Sequence, residues 1–139
     1  LEIRGVVDET QLLEFISTLW NKIHDLFEMT WNNTIVDQKY SNLLKKASII
    51  SITEFVVREA KTVARQNKKQ LLELTSDEIK TIVNNSIGDL PPEFFTVTWQ
   101  GGLDTSAGRE IIKSSIEVVL ENISYNNDWD QKVPLIKKS

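Results

Sequence analysis

The sequence contains no cysteine, and this absence excludes disulfides, thiolate metal sites and thiol nucleophiles together. It fits an intracellular protein, and we expect that location. The single histidine, His24, has no serine or second ligand at a spacing that would implicate it in catalysis or metal binding. We therefore expect no catalytic residue, no metal and no cofactor, and a protein that is not an enzyme.

Glycine and proline are also scarce, at five and three residues, so the composition is that of neither a disordered nor a collagen-like chain. Serine, threonine and glutamate interrupt the apolar stretch of residues 47 to 57, far short of the roughly 20 apolar residues that cross a bilayer. We expect a soluble protein that does not enter a membrane. The 139 residues, of which 40% are hydrophobic, are enough for one domain with its own core.

Apolar residues at intervals of three and four predict that the chain begins with a helix. We place this first helix at residues 10 to 28, with Asp8 or Thr10 as its cap. The next segment, TWNNTIVD at residues 30 to 37, breaks the periodicity with two asparagines and a β-prone run. It predicts a loop with a short extended piece.

The second helix is predicted to be the longest, because no glycine or proline occurs from residue 37 to about residue 69. Asp37 is its expected cap. Between residues 49 and 57 the apolar side chains surround nearly the whole helix, which indicates that neighbours enclose it. The β-branched residues of SIISITEFVV leave a strand as the alternative for this stretch.

Two further helices are indicated by their caps. Thr75 followed by Glu78 is the signature of a capping box, and Gly88 follows the end of this third helix. Asp104 or Thr105 caps the fourth, which extends to about residue 124.

Between them, two prolines exclude a helix at residues 91 and 92, and the alternation of Phe95, Val97 and Trp99 predicts a short extended segment. The predicted fold is an all-α bundle of about four helices around a long central helix, with this one extended segment. We expect a single helical domain at residues 1 to 124 and a C-terminal tail at residues 125 to 139.

The stretch VVREAKTVARQNKKQ places five cations on one face of the second helix. These residues are Arg58, Lys61, Arg65, Lys68 and Lys69. Such a stripe could bind phosphates or an acidic peptide, but solvent-facing basic stripes are also common near the ends of helices. Both interpretations stay open.

A weaker candidate is QGGLDTSAGRE, at residues 100 to 110. Gly101, Gly102 and the first turn of the fourth helix could expose N–H groups to an anion, with Arg109 nearby. The stretch lacks the lysine and the spacing of a phosphate-binding loop, so a turn into a capped helix also explains it.

Residues 11 to 86 resemble the histone fold in their order of elements: a shorter helix, a loop with β-like NTIV, a long helix, and a second loop leading to a capped helix. The closest match is FVVREAKTVARQNKKQLLELTSDEIKTIV, at residues 55 to 83. This resemblance implies an acidic, partner-seeking relative of the kind found in transcription or chromosome-associated complexes. The fourth helix would then be an added C-terminal element.

We predict a non-enzymatic helical domain that binds another protein, in a homo- or hetero-oligomer, as a subunit or adaptor of a larger complex. Trp31 and Trp129 lie outside the helical stripes, where aromatic residues often anchor an interface. A nucleic-acid-associated subunit using residues 58 to 69 is the first alternative, although the net charge of −4 disfavours contact with a polyanion by the whole molecule. A small anion- or phosphate-binding protein using residues 101 to 109 is the second.

Overall fold

The computed structural model describes residues 9 to 136, and within this range the chain is all-α, as predicted. It contains six α-helices and one short 3-10 helix, Leu71–Glu73. The α-helices are α1 (Glu9–Leu26), α2 (Glu28–Val36), α3 (Lys46–Gln66), α4 (Ser76–Ile87), α5 (Glu93–Thr96) and α6 (Ser106–Ser124). Asp8, one of the two expected caps of the first helix, lies outside the described residues. Thr10, the other, lies inside α1.

Helix α3 is the long central element, and the helical interpretation of its β-branched stretch is confirmed. Its main partners are α6 and α4, and α1 packs against α4. Helix α1 also reaches α3 directly, because Trp20 Nε1 donates to Thr53 Oγ1 at 2.9 Å. Ile52, Val56 and Ala60 are almost completely buried along its core-facing side. Ser48 and Ser51 are also buried on this side. Their hydroxyls donate to the carbonyls of Asn42 and Ala47, so neither buried hydroxyl is left without a hydrogen-bond partner.

The predicted caps of α4 and α6 are confirmed. Thr75 Oγ1 accepts from the N–H of Glu78 at 3.2 Å, and Glu78 Oε1 accepts from the N–H of Thr75 at 2.9 Å. For α6 the cap is Thr105, whose Oγ1 accepts from the N–H of Gly108 at 2.9 Å. These short-range signals are reliable because both partners lie within one turn of the chain.

The prediction that α3 begins after Asp37 is wrong, because residues 37 to 45 are turns and the helix starts at Lys46. Asn42 explains the difference. Its Nδ2 donates to the carbonyls of Phe95 and Val97, each at 3.0 Å, and its N–H donates to Phe95 O at 2.8 Å. These bonds hold the segment away from helical geometry.

At its other end, α3 stops at Gln66, and Lys68 then has a φ of 58°.

The expected loop at residues 30 to 37 is also wrong, since residues 28 to 36 form α2. The first helix ends two residues earlier than predicted, at Leu26. Phe27 separates the two helices with a φ of −125° and a ψ of 38°. The break allows α2 to leave the line of α1, with Phe27 itself buried in the core.

The extended segment predicted around residues 95 to 99 is only partly extended. Glu93–Thr96 is one helical turn, and Trp99 then forms an isolated antiparallel bridge with Ile136. Phe94 and Phe95 are both fully buried. A strand would direct these neighbours to opposite faces, so burying both in the same core favours a helical turn.

Residues 125 to 136, which we expected to lie in a tail, fold back over α6, and we call them the closing segment. Val133 and Leu135 are buried. Asn122 Nδ2 donates to the carbonyls of Trp129 and Gln131, at 3.0 and 2.8 Å. The last three residues of the expected tail lie outside the described range.

Candidate interaction surface

Helix α2 is the element whose burial pattern is reversed. Its two buried residues are Thr30 and Thr34, one helical turn apart. Three of its apolar side chains are exposed: Met29 by 76%, Ile35 by 66% and Val36 by 89%. A helix that only covers a core turns its apolar residues inward and its polar residues outward. Helix α2 does the opposite.

The exposed residues of α2 form a continuous stripe on its outer side, which we call the outer stripe. It consists of Glu28, Met29, Asn32, Ile35 and Val36. Their spacing of one, three, three and one is the helical spacing that places side chains on one face. We did not predict this stripe, because the asparagines and β-branched residues of the segment indicated a loop. The apolar spacing was the only available signal.

Two grooves open beside α2, and they differ in charge. The first, of about 400 Å³, is lined by Glu28, Met29, Thr30, Tyr40 and Glu93 among others, and we call it the acidic groove. The second, of about 680 Å³, lies at the other end of α2. It contains Thr34, Ile35 and Leu44 together with Lys39 and Lys45, and we call it the basic groove. Exposed apolar side chains therefore border both grooves.

Thr30 lies in the acidic groove and is only 4% exposed, yet its hydroxyl has no hydrogen-bond partner among residues 9 to 136. Every other buried polar side chain in that range makes at least one hydrogen bond. A buried hydroxyl without a partner costs on the order of 1 to 3 kcal/mol. Such groups are rare in folded proteins, and an acceptor from a bound molecule would give this hydroxyl the hydrogen bond that it lacks.

The two tryptophans predicted to anchor a partner are half-buried and pack within the chain. The ring of Trp31 lies 6.1 Å from that of Trp20 and 5.0 Å from the ring of His24, measured between centroids. Trp31 thus attaches α2 to α1. The ring of Trp129 lies 6.4 Å from that of Phe94 and anchors the closing segment.

The basic stripe of α3 is divided by its contacts. Arg58 approaches Glu117 at 3.8 Å and stacks 5.2 Å from the centroid of the Phe55 ring. Lys69 Nζ donates to Glu78 Oε1 at 2.8 Å, joining the end of α3 to the start of α4.

The other three cations of the stripe, Lys61, Arg65 and Lys68, are exposed and have no ion-pair partner within the described part of the chain. Lys61, Arg65 and Lys69 border a groove of about 380 Å³ whose other lining residues include Ala64 and Leu71. Of the five predicted cations, only Lys61, Arg65 and Lys69 therefore border one groove.

The glycine loop lines a cleft between the start of α3 and α6, which contributes Ile112. Gly101 and Gly102, the latter with a φ of 71°, line a cleft of about 260 Å³ together with Lys45 and Lys46 at the start of α3. Arg109 is not among its lining residues and lies 4.0 Å from Asp104. The structure thus brings the two glycines to one cleft and leaves Arg109 outside it.

The titratable groups with a shifted pKa lie in ion pairs on helix surfaces. The Lys69 ammonium and the N–H of Thr75 lower the pKa of the Glu78 carboxyl. A hydrogen bond from Lys113 lowers the pKa of Glu110, and the same bond raises the pKa of Lys113 despite some desolvation. Within residues 9 to 136 no group of histidine, aspartate and glutamate is arranged to hold a metal ion.

No protein family, no curated protein and no solved structure matches this chain. In the described range, none of the helices is long and apolar enough to cross a membrane.

Proposed function

We propose that this chain is a non-enzymatic helical domain that binds another protein through the outer stripe of α2 and the two grooves beside it. The observation that carries the proposal is the reversed burial of α2, which hides Thr30 and Thr34 and exposes Met29, Ile35 and Val36. Single exposed apolar residues are normal on protein surfaces. Here they are grouped on one helix, and contiguous apolar surface bordered by polar residues is typical of interaction sites.

The grooves give this surface the shape that a partner needs. Met29 and Tyr40 border the acidic groove, and Ile35 and Leu44 border the basic groove, so that an apolar side chain from a partner would find apolar neighbours in either. Burial of such side chains yields about 25 cal/mol per Å² of apolar area. The unpaired hydroxyl of Thr30 adds a polar contact that a partner's carbonyl could satisfy.

Photo-cross-linking tests the proposal. We would place p-benzoylphenylalanine at Val36, and at Asn85 of α4 as an exposed control, and irradiate each protein in an extract of its host cell. The expected result is a discrete cross-linked partner from position 36 that disappears with excess unlabelled wild-type chain and with the added substitution Ile35→Ser. Equal capture from positions 36 and 85 would contradict the proposal. Capture that neither the unlabelled chain nor Ile35→Ser reduces would also contradict it.

A second function is favoured by one observation: Lys61 and Arg65 are exposed, unpaired among the described residues, and border a common groove. A cluster of exposed cations is the charge pattern of a nucleic-acid-binding surface, and the resemblance to the histone fold suggests the same use. The variant Lys61→Glu/Arg65→Glu should weaken binding to duplex DNA and reduce its dependence on salt, whereas Lys80→Glu on α4 should not. DNA binding that is indifferent to both salt and the double substitution would exclude this role.

A further inference from the structure

The charges along α2 are opposite at its two ends. Glu28 and Glu93 line the acidic groove beside the first turn of the helix, and Lys39 and Lys45 line the basic groove beside its last turn. None of these four side chains forms an ion pair within the described residues. Asp37 lies near the basic end, where its carboxylate accepts the N–H of Lys39 at 3.0 Å, but it does not line the basic groove, and the two lysines that do outnumber it. The apolar residues of the outer stripe therefore lie between an acidic groove and a basic groove, and the charged side chains of both grooves have no ion-pair partner within residues 9 to 136.

Such a surface is complementary to itself. A two-fold axis at the middle of the outer stripe, near Asn32, places two copies of α2 side by side in antiparallel orientation. The acidic groove of each copy then faces the basic groove of the other. Met29 of one copy also meets the region of Ile35 of the other, because the two residues lie at equal distances on either side of Asn32.

We infer that the partner of the outer stripe is a second copy of this chain, in a two-fold symmetric dimer with antiparallel α2 helices. This inference rests on the proposed function and names its partner. A dimer of a chain with a net charge of −4 needs local attraction to overcome the repulsion between copies. The acidic groove of each copy, with Glu28 and Glu93, lies close to the basic groove of the other, with Lys39 and Lys45, and this attraction occurs at both ends of the interface.

The test uses two charge-reversal variants, alone and mixed. In a two-fold interface each variant alone should associate poorly, whereas the mixture should associate well. The variants Glu28→Lys and Lys39→Glu each place like charges opposite one another at both ends of a homodimer. Mixed together, they form a heterodimer in which both ends again carry opposite charges. We would measure association by sedimentation equilibrium at low ionic strength, with far-ultraviolet circular dichroism to confirm that every variant folds.

The expected result is a wild-type dimer, a Kd raised about tenfold or more in either single variant, and recovery to near the wild-type Kd in the equimolar mixture. The control pair Glu59→Lys and Lys80→Glu, on exposed faces of α3 and α4, should leave the Kd unchanged alone and mixed. The double substitution Ile35→Ser/Val36→Ser should abolish the dimer.

A wild-type chain that stays monomeric at about 1 mM would overturn the inference, as would a mixture that associates no better than its components. Either outcome leaves the interaction role of α2 open to the cross-linking experiment, because a different protein could still occupy the outer stripe. Failure of the two ideas can thus be distinguished. Cross-linking from position 36 to a different protein only, with no cross-linked dimer, would also contradict a second copy.

Discussion

Helix α2 and the closing segment are both short, and both lie beside the packed group of α1, α3, α4 and α6, but they treat their apolar residues in opposite ways. The closing segment buries Val133 and Leu135, at 4% and 0% exposure. Helix α2 exposes Ile35 and Val36, at 66% and 89%. One segment completes the core of its own chain. The other leaves its apolar residues outside.

The polar contacts of the two segments differ in the same sense. Asn122 of α6 donates to the carbonyls of Trp129 and Gln131, and Ser115 of α6 accepts from the N–H of Leu135, so these three backbone groups of the closing segment have partners inside the chain. In α2 the hydroxyl of Thr30 has none within residues 9 to 136. The comparison gives a criterion for segments at the edge of a small core. A segment that buries its apolar side chains and pairs its buried polar groups completes its own fold, whereas one that does neither is available to contact a partner.

The largest effect that the comparison predicts is on stability. Leu135→Ala should lower the free energy of unfolding by about 2 to 5 kcal/mol, because it opens a cavity under the closing segment. Val36→Ser should change it by no more than about 0.5 kcal/mol, because the side chain is in solvent. Urea unfolding at a concentration where the chain is monomeric measures both. A loss of several kcal/mol in Val36→Ser would place this residue in the core and break the comparison.

Asn122→Ala should have the next largest effect, a loss of about 2 kcal/mol. The substitution removes two hydrogen bonds and leaves the carbonyls of Trp129 and Gln131 without their donor. Hydrogen exchange should show faster opening of residues 129 to 135, while amides of α4 keep their protection. Uniform destabilisation without this local effect would mean that Asn122 does not hold the closing segment.

Thr30→Val and Thr34→Val form a matched pair in α2. The first should raise the free energy of unfolding of the monomer by about 1 kcal/mol, because it removes a buried hydroxyl that has no partner. The second should lower it by a similar or smaller amount, because Thr34 Oγ1 donates to Thr30 O at 2.7 Å. Thermal and urea unfolding would show the opposite signs. Destabilisation by both substitutions would imply that Thr30 already has a partner within the chain.

The smallest effect is expected where Lys69, after the end of α3, pairs with Glu78 in the first turn of α4. This pair belongs to neither segment and serves as a reference. The pKa of Glu78 is lowered by its hydrogen bond with Lys69, so the ionised carboxylate stabilises the fold above its ordinary pKa of 4.5. This contribution is lost as the pH falls through the lower pKa of the folded state. Glu78→Gln keeps the size of the capping side chain, and should therefore reduce stability slightly at pH 7, by an amount that shrinks as the pH falls below 4.5. A difference from the wild type that stays constant as the pH falls would contradict the coupling.

Short-range chemistry could be predicted from the sequence, and contacts between distant residues could not. Thr75 with Glu78 and Thr105 with Gly108 were predictable because each cap and its partner lie three residues apart. The start of α3 was not, because it depends on bonds from Asn42 to Phe95 and Val97. Nothing near Asp37 in the sequence signals these acceptors.

The candidate site failed to appear in the sequence for a related reason. Even a correct helix prediction for α2 would have assigned Met29 and Ile35 to the core, since their spacing is that of any inward-facing stripe. Only the positions of neighbouring helices show that they point outward. Trp31 illustrates the converse, because a tryptophan outside the predicted stripes packs on Trp20.

The side chain of Asn42 finds its acceptor 53 positions further along the chain. At a synthesis rate of about 5 to 20 residues per second, the ribosome adds Phe95 roughly three to ten seconds after Asn42. During that interval the amide of Asn42 lacks the carbonyls of Phe95 and Val97, so these bonds do not yet prevent α3 from extending back toward Asp37. A fragment ending at residue 90 should show this longer helix in its Cα chemical shifts, and the complete protein must unwind it as Phe95 arrives.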